Sequence, residues 1–261
     1  MRKGARLGQH FLKNPHYAEL LVREAGVTAQ DTVLEIGPGE GALTRFLVQA
    51  AKKTIAIEKD EVLATKLHET FANEIANGGL QIISGDVRDF NPDSWQLKAG
   101  SYVLAANIPY YITGELIRKF LETPAQPRTI AFLVQKEVAQ RIVSDKESIL
   151  SISVKAYGEP RIAAKVSKGN FNPPPNVDSA ILVIENISKK HFANVSEEQF
   201  FEIVRTGFAS KRKLLLSNLS IKFDKEKVAA AFSHHAIDPK ARAETIHLHG
   251  WLGIAQSLME K

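Results

Sequence analysis

A glycine-rich turn between a strand and a helix constrains this chain more than any other feature. An apolar, β-branched run at residues 32–36 predicts a strand, and it leads directly into the segment Gly37-Pro-Gly-Glu-Gly-Ala42. Residues 42–50 then carry apolar side chains at helical spacing. Glycines at such a turn let the backbone approach a ligand where a Cβ atom would collide. The segment also fits the Gly-x-Gly-x-x-Ala pattern of dinucleotide-binding sheets, so it predicts an α/β fold with a nucleotide-like ligand at the carboxyl ends of its strands.

Strand and helix patterns alternate beyond this turn. Further strands are predicted at residues 54–58, 80–84, 102–106 and 130–135, and helices at residues 60–72, 114–121 and 136–143. Short connections between them favour a parallel sheet that is covered by helices on both faces. Residues 180–187 predict a late strand at an edge or in an antiparallel position. Residues 148–157 have the β-branched content of a strand and the length of a helix, so their structure stays open.

The pattern changes after residue 187. Helices are predicted at residues 200–208, 211–219, 226–232 and 246–258, and no strand pattern follows. We therefore predict a boundary near residues 186–194. It separates a sheet domain of residues 1–188 from an all-helical domain of residues 189–261.

The composition excludes several classes of protein. The chain has no cysteine, so disulfides, cysteine-bound zinc, iron–sulfur clusters and cysteine nucleophiles are ruled out. The N-terminus is basic but lacks the apolar stretch of a secretory signal, and no apolar run approaches the roughly 20 residues that span a bilayer. We therefore expect a soluble, cytoplasmic protein with no membrane partner.

Charge is distributed unevenly along the chain, whose formal net charge is +5. Residues 31–100 hold eleven acidic and seven basic side chains, whereas the first 13 residues hold four basic side chains and no acid. Lys211-Arg212-Lys213 forms a further basic cluster. An acidic middle flanked by basic segments predicts a small-molecule site next to a surface that binds a polyanion.

Two acidic residues follow successive strands beyond the glycine-rich turn. Glu58 closes the second predicted strand, 21 residues after Gly37, where its carboxylate can accept hydrogen bonds from both hydroxyls of a ribose. Asp86 follows the third strand, where it can accept a hydrogen bond from the amino group of an adenine. Together with the turn, these acids predict a nucleoside pocket at the carboxyl edge of an open sheet.

The segment Asn107-Ile108-Pro109-Tyr110 follows the fourth strand and carries the most specific chemistry. An exocyclic aromatic amine is a poor nucleophile because its lone pair is delocalised into the ring. The Asn107 amide oxygen and the Ile108 carbonyl can accept both N–H groups and localise that lone pair towards a methyl donor. Pro109 fixes the turn and Tyr110 offers a ring face for stacking. No strong general base is needed, since a sulfonium donor has a good leaving group and the proton can depart afterwards.

A second aromatic ring is found in Phe171-Asn-Pro-Pro-Pro-Asn-Val-Asp-Ser179. Three prolines stiffen this loop, so that Phe171 can be held in one place. We predict that a flipped base is sandwiched between Tyr110 and Phe171, as unpaired bases often are between aromatic side chains.

Seven segments together resemble the motifs of a known family. They are Gly8-Gln9-His10-Phe11-Leu12, residues 35–44, Gly85-Asp86, residues 107–110, residues 134–141, residues 171–179 and the basic segment 208–219. The chain is similar along essentially its whole length to the small-subunit (16S) rRNA adenine-N6,N6-dimethyltransferases of the KsgA/RsmA type.

The resemblance implies a Rossmann-like class I methyltransferase fold, with a mostly parallel seven-stranded sheet and a small all-α C-terminal domain that binds RNA. It implies S-adenosyl-L-methionine as cofactor and two adjacent adenosines near the 3′ end of 16S rRNA, in the immature small subunit, as substrate. It also implies cofactor contacts for seven residues. These are His10 and Leu12 at the methionine portion, Gly37 and Gly39 along the cofactor, Glu58 at the ribose, Asp86 at the adenine, and Asn107 at both cofactor and target.

One position departs from the family pattern. His10 stands where many members carry asparagine, and an imidazole can still form a hydrogen bond there, so only the detail of that contact differs. No metal site is predicted, because His234-His235 and His247-x-His249 lack a carboxylate partner at suitable spacing. A monomer is expected, since the ribosomal partner is so large.

Two other functions remain open. One is the related large-subunit (23S) rRNA adenine-N6 methyltransferase of the macrolide-resistance (Erm) type, which shares the pocket. The other is a non-catalytic ribosome-assembly or nucleic-acid-binding module. A dehydrogenase is disfavoured, because it would leave the Asn107–Tyr110 turn, the Phe171 loop and the basic segment without a role. We assign Lys211–Lys213 to phosphate contacts, which position RNA without specifying its sequence.

Overall fold

A computed structural model describes residues 10–259 and divides into two compact units. The first unit holds residues 10–139 and 159–187, and the second holds residues 140–158 and 188–259. Residues 140–158 therefore belong to the same unit as the C-terminal helices. The predicted boundary near residue 188 places them in the sheet domain instead.

All strands of the described residues belong to the first unit. They are β1 (Phe11–Leu12), β2 (Thr32–Ile36), β3 (Lys53–Glu58), β4 (Leu80–Ser84), β5 (Tyr102–Asn107), β6 (Thr129–Gln135), β7 (Glu159–Val166), β8 (Phe171–Asn172) and β9 (Ser179–Glu185). Seven of them form one sheet in the order β4-β3-β2-β5-β6-β9-β7, and β1 pairs with β8 in a separate antiparallel ribbon. Strands β2 to β6 are parallel, and β9 runs antiparallel to both of its neighbours.

The helices follow the strands in alternation and then continue alone. They are α1 (Pro15–Glu24), α2 (Thr44–Ala50), α3 (Glu61–Thr70), α4 (Ala72–Ala76), α5 (Thr113–Glu122), α6 (Lys136–Val143), α7 (Ile149–Tyr157), α8 (Glu197–Gly207), α9 (Leu215–Leu219), α10 (Lys225–His234) and α11 (Leu248–Met259).

Both faces of the central strands are buried, which confirms the predicted parallel sheet between two helical layers. Val33 and Val103 lie on one face, in one apolar cluster with Leu21 of α1. Leu34 and Leu104 point to the opposite face and are also fully buried. Because both faces are covered, only the strand ends can carry polar function, and the carboxyl ends of β2 to β5 meet at one edge of the sheet.

The two strands at the end of the sheet differ from the prediction. The late strand β9 is antiparallel, as predicted, but it lies between β6 and β7 and not at an edge. The edge is β7, which the sequence analysis missed because proline and charged residues interrupt its alternation, as is common on edge strands. Arg161 of β7 donates hydrogen bonds to Glu24 and Glu185, so its charge is satisfied at that edge.

The described residues of the second unit form helices joined by turns and loops, and they contain no strand. The ambiguous segment 148–157 forms α7, because Ser148 and Ser151 make a capping box at its start. The predicted helix at residues 211–219 was wrong in its first part, since residues 211–214 form a turn and α9 begins only at Leu215. The Asn218 side chain holds that turn by donating to the carbonyl oxygens of Gly207 at 2.6 Å and Ser210 at 3.0 Å.

Candidate active site

A cavity that is open to solvent lies at the carboxyl ends of β2 to β5. It is bordered by ten of the eleven residues predicted for the site: His10, Leu12, Gly37, Gly39, Glu58, Asp86, Asn107, Ile108, Pro109 and Tyr110, with Asn107 serving both predicted roles. The parallel strands bring these side chains together although up to 100 residues separate them in the chain.

The glycine-rich turn is tied to the end of β3. The Glu58 side chain is buried, and its Oε2 accepts a hydrogen bond from the Gly39 N–H at 3.0 Å while Oε1 accepts from the Asp60 N–H at 2.9 Å. Gly39 has φ +59°, and a Cβ atom there would lie 2.9 Å from the Phe11 ring. Burial raises the pKa of Glu58. Each carboxylate oxygen can still accept a further hydrogen bond, which suits a pair of ribose hydroxyls.

Asp86 is held between two cations. Its carboxylate accepts hydrogen bonds from the Arg88 guanidinium, with Nη2 at 2.5 Å and Nε at 3.0 Å, and from Lys59 Nζ at 2.9 Å. These hydrogen bonds, first from Arg88 and then from Lys59, hold the pKa of Asp86 well below its usual range. The carboxylate is therefore ionised and fixed in direction at neutral pH, as an acceptor for an amino group has to be.

The amide of Asn107 has a defined orientation. Its Nδ2 donates a hydrogen bond to the backbone carbonyl of His10 at 3.0 Å. The Nδ2 end is therefore directed to β1, which leaves Oδ1 to accept a hydrogen bond from a ligand in the cavity. Ile108 and Pro109 also border the cavity. The predicted pair of acceptors, the Asn107 amide and the Ile108 carbonyl, therefore lies at the same edge of the sheet as the cavity.

Tyr110 is fixed at both its hydroxyl and its ring. The hydroxyl shares a 2.6 Å hydrogen bond with the buried Ser179 Oγ, and the imidazole of His10 stacks on the ring with centroids 5.7 Å apart and planes at 28°. Burial raises the pKa of Tyr110, so its hydroxyl stays protonated at neutral pH and does not act as a base. The ring is a platform and not a proton acceptor.

Glu35 also borders the cavity and is only 1% exposed. Its Oε2 has no hydrogen-bond partner among the residues that the structure describes. Burial raises the pKa of Glu35 to about 8, with a smaller contribution in the same direction from Glu58. A buried carboxyl group with an unpaired oxygen next to a cavity can accept a hydrogen bond from a polar or cationic ligand.

Residues 1–260 match the family model of ribosomal RNA adenine dimethylases. The chain belongs to the ribosomal RNA adenine dimethylase family. It is 39% identical over 254 residues to a ribosomal RNA small subunit methyltransferase A of Dehalococcoides mccartyi, covering 96% of this chain and 86% of that protein. It is 36% identical over 247 residues to the same-named protein of Clostridium botulinum, covering 93% and 89% of the two chains.

Solved structures of related enzymes have the same fold as this rRNA adenine dimethylase. A dimethyladenosine transferase from Plasmodium falciparum superposes with a TM-score of 0.81 at 26% identity, covering 94% of this chain and 96% of that one. The 23S rRNA methyltransferase ErmE superposes with a TM-score of 0.77 at 24% identity, covering 96% and 100%, and shows the fold alone. The predicted Rossmann-like class I methyltransferase fold, with a helical C-terminal region, is thereby confirmed.

Phe171 is the one predicted site residue that the structure of this family member does not bring to the cavity. Its ring is only 1% exposed and packs in the apolar core with α1 and β9. Phe171 lies opposite Leu12 in the β1–β8 ribbon, so it supports the strand that carries His10. The predicted sandwich between Tyr110 and Phe171 has no counterpart here, because the ring on the Phe171 side is committed to the core.

Several residues that border the cavity of this dimethylase were not predicted as site residues, Glu35 among them. Lys59 and Arg88 orient Asp86, and Tyr111 borders the cavity with 72% of its surface exposed. The sequence alone could have indicated these three residues, because each lies within two positions of a predicted site residue. Gly8 and Gln9 of the first motif, and the basic residues before them, lie outside the described residues.

The described residues 10–259 contain neither a metal-binding cluster nor a membrane-spanning helix. Within them, no three histidine, aspartate or glutamate side chains lie close enough to hold a metal ion together. No helix in this range combines the length and the apolar character that crossing a membrane requires.

Proposed function

We propose that this rRNA adenine dimethylase uses S-adenosyl-L-methionine to dimethylate the N6 amino groups of two adjacent adenosines near the 3′ end of 16S rRNA, in the immature small subunit. The observation that carries the proposal is the oriented Asn107 amide at the edge of the cavity formed by the carboxyl ends of β2 to β5. The relatives named for the small ribosomal subunit favour that substrate over the 23S alternative.

The residues around the cavity fit the proposed cofactor. Gly37 and Gly39 form a turn with positive φ, in which a Cβ atom at Gly39 would collide with the Phe11 ring, and Glu58 keeps acceptor positions for two ribose hydroxyls. The orphaned oxygen of Glu35 suits a ligand that carries positive charge. Asp86 would receive the adenine amino group, and His10 and Leu12 border the remaining part of the cavity. When bound, the cofactor supplies a sulfonium-activated methyl group.

This chain activates the target amine by geometry. The Asn107 Oδ1 and the Ile108 carbonyl would accept the two N–H groups of N6, so that the nitrogen lone pair points away from the adenine plane. The Tyr110 ring would hold the base by stacking, which is worth about 1–3 kcal/mol per base. No side chain has to remove the proton beforehand, and the raised pKa of Tyr110 agrees with a role in stacking alone.

The helical unit supplies a candidate RNA-binding element. Lys211, Arg212 and Lys213 are exposed on the turn that the Asn218 side chain braces. We propose that the sheet unit binds cofactor and target base while this unit contacts phosphates. Replacing the three basic residues with alanine should reduce the slope of log K against log salt by roughly two to three, from about 0.7–0.9 per lost phosphate contact.

A variant of α10 controls for most of the change in net charge. Replacing Lys225 and Lys227, which are exposed on α10, removes two charges from another element of the same unit and should change the salt slope much less. Equal slopes for the 211–213 variant and the unchanged protein would remove this turn from the RNA interface.

The function itself is tested by methyl transfer to ribosomal subunits. Unmodified small and large subunits are incubated side by side with labelled S-adenosylmethionine, and the RNA is digested to nucleosides. N6,N6-dimethyladenosine from the small subunit alone is the expected result. Label in large-subunit RNA would favour the Erm-type alternative, and label in neither subunit would favour a binding module without catalysis.

The role of Asn107 is tested in the same assay. Asn107→Ala removes the oriented acceptor, so transfer should fall by at least about 100-fold while cofactor binding stays measurable. Asn73→Ala, on the exposed surface of α4, is a matched control and should transfer normally. Turnover of Asn107→Ala within a few-fold of the unchanged protein would exclude Asn107 from the mechanism.

A further inference from the structure

The His10 side chain faces the target side of the site. The resemblance implies that residue 10 contacts the methionine portion of the cofactor. In the structure, however, the imidazole Nδ1 is 2.8 Å from the carbonyl oxygen of Pro173, and the ring is stacked on Tyr110. One partner of the imidazole is therefore the Tyr110 ring, the expected stacking platform for the base, and the other belongs to the loop that follows β8.

The backbone of His10 contacts the side chain of Asn107. The His10 carbonyl accepts the Asn107 Nδ2–H at 3.0 Å. The strand that follows is fixed in register by pairing with β8 and by a hydrogen bond from the Lys13 N–H to the Asn170 carbonyl at 2.8 Å. One residue thus connects the loop at 170–173 with both Asn107 and Tyr110.

We propose that His10 is a positioning residue for the target base and that its imidazole is not a cofactor ligand. An aromatic ring has two faces, and the imidazole lies against one face of Tyr110 with the ring centroids 5.7 Å apart, so it narrows the space on that face and favours stacking of an incoming adenine on the other. The Tyr110 hydroxyl is anchored on Ser179, and the imidazole restricts rotation of the ring about that anchor. The hydrogen bond to Pro173 keeps the imidazole in place. This inference rests on the proposed function.

Asparagine, phenylalanine and histidine at position 10 differ in which of the two contacts of the imidazole they can make. An asparagine side chain can form a hydrogen bond but offers no ring to stack on Tyr110. A phenylalanine offers the ring but cannot bind the Pro173 carbonyl. The variants His10→Asn and His10→Phe therefore separate the two contacts of the imidazole.

The test measures cofactor and RNA parameters separately. Calorimetry gives the Kd for S-adenosylmethionine, and steady-state transfer to unmodified small subunits gives kcat and the KM for RNA. We expect the Kd of both variants to stay within about twofold. We expect His10→Asn to lose about three- to tenfold in kcat/KM for RNA, the size of one aromatic contact, and His10→Phe to recover most of that loss. His16→Ala, an exposed histidine at the start of α1, should change none of these values.

Either of two results would overturn the inference. One is a Kd for S-adenosylmethionine that weakens tenfold in both variants while the KM for RNA is unchanged, which would make His10 a cofactor ligand. The other is kcat/KM for RNA unchanged in His10→Asn. Failure of the proposed function is distinguished by the unchanged protein, which would then leave both ribosomal subunits unlabelled. The calorimetric comparison would still decide whether His10 binds the cofactor.

Discussion

Replacing Glu35 with glutamine should flatten the pH dependence of the protein's stability. Glu35 lies on β2 with a side chain that is 1% exposed, and its Oε2 lacks a partner within the described part of the chain. Burial raises its pKa to about 8, because the charged form loses its hydration inside the sheet. Glutamine has nearly the same shape and cannot ionise, so the exchange removes the titration and little else.

The sign follows from the numbers of bound protons. An unfolded chain releases the glutamate proton near pH 4.5, whereas the folded protein keeps it until about pH 8. Between those values the folded state binds one proton more, so its free energy of unfolding falls as pH rises, by about 1.4 kcal/mol per pH unit. From pH 5 to pH 8 this amounts to roughly 3–4 kcal/mol for Glu35. The variant lacks this loss.

Urea unfolding at pH 5, 6, 7 and 8, followed by far-UV circular dichroism, measures the effect. The free energy of unfolding of Glu35→Gln minus that of the unchanged protein should rise steadily across this range. Glu58 also has a raised pKa and is present in both proteins, so its contribution to the difference is limited to its small coupling with Glu35. Glu69→Gln, on the exposed surface of α3, should leave the difference flat. Parallel curves for Glu35→Gln and the unchanged protein would refute the reasoning.

Three other substitutions have expected outcomes of different kinds. Gly39→Ala should weaken cofactor binding at least about tenfold in calorimetry, because its φ is +59° and the new Cβ would lie 2.9 Å from the Phe11 ring. Its control is Gly26→Ala, where φ is +61° and no atom lies within 4 Å of the new Cβ. This control should lower stability without affecting cofactor binding. Asp86→Asn should raise the cofactor KM about tenfold with little change in kcat, since it loses the ionised acceptor but not the reacting geometry. Gly207→Ala should lower the melting temperature by several degrees in thermal denaturation, because its Cβ would lie 2.4 Å from the buried tryptophan ring on α11.

The features that the sequence predicts correctly depend on neighbouring residues. The central strands β2, β3, β5 and β6 are buried on both faces, so their apolar runs are continuous and easy to recognise. The glycine-rich turn, Glu58 and Asp86 follow strand ends directly, and parallel pairing then brings them to one edge. Local patterns were sufficient here because the sheet converts order along the chain into proximity.

The features that were missed depend on residues far apart in the chain. Strands β1 and β8 have two residues each, and neither has a pattern without the other. Phe171 looked like a stacking residue because it precedes three prolines, but its burial is decided by α1 and β9. The sequence of residues 211–214 fits the helical pattern of the residues around it, but these residues form a turn. The Asn218 side chain, which follows the turn in the chain, holds it by a hydrogen bond to the Ser210 carbonyl oxygen. None of these contacts is encoded in a local period.

The orientation of Asn107 shows why a motif alone does not make this site. An amide side chain presents a donor at one end and an acceptor at the other, and the two ends have nearly the same size. At Asn107 the donor end is bound by the His10 carbonyl, which lies 97 positions earlier in the chain. Without β1 the amide could turn its Nδ2 towards the target nitrogen, where two donors would face each other. The chemistry of the Asn107–Tyr110 turn therefore depends on a strand that is not part of the motif.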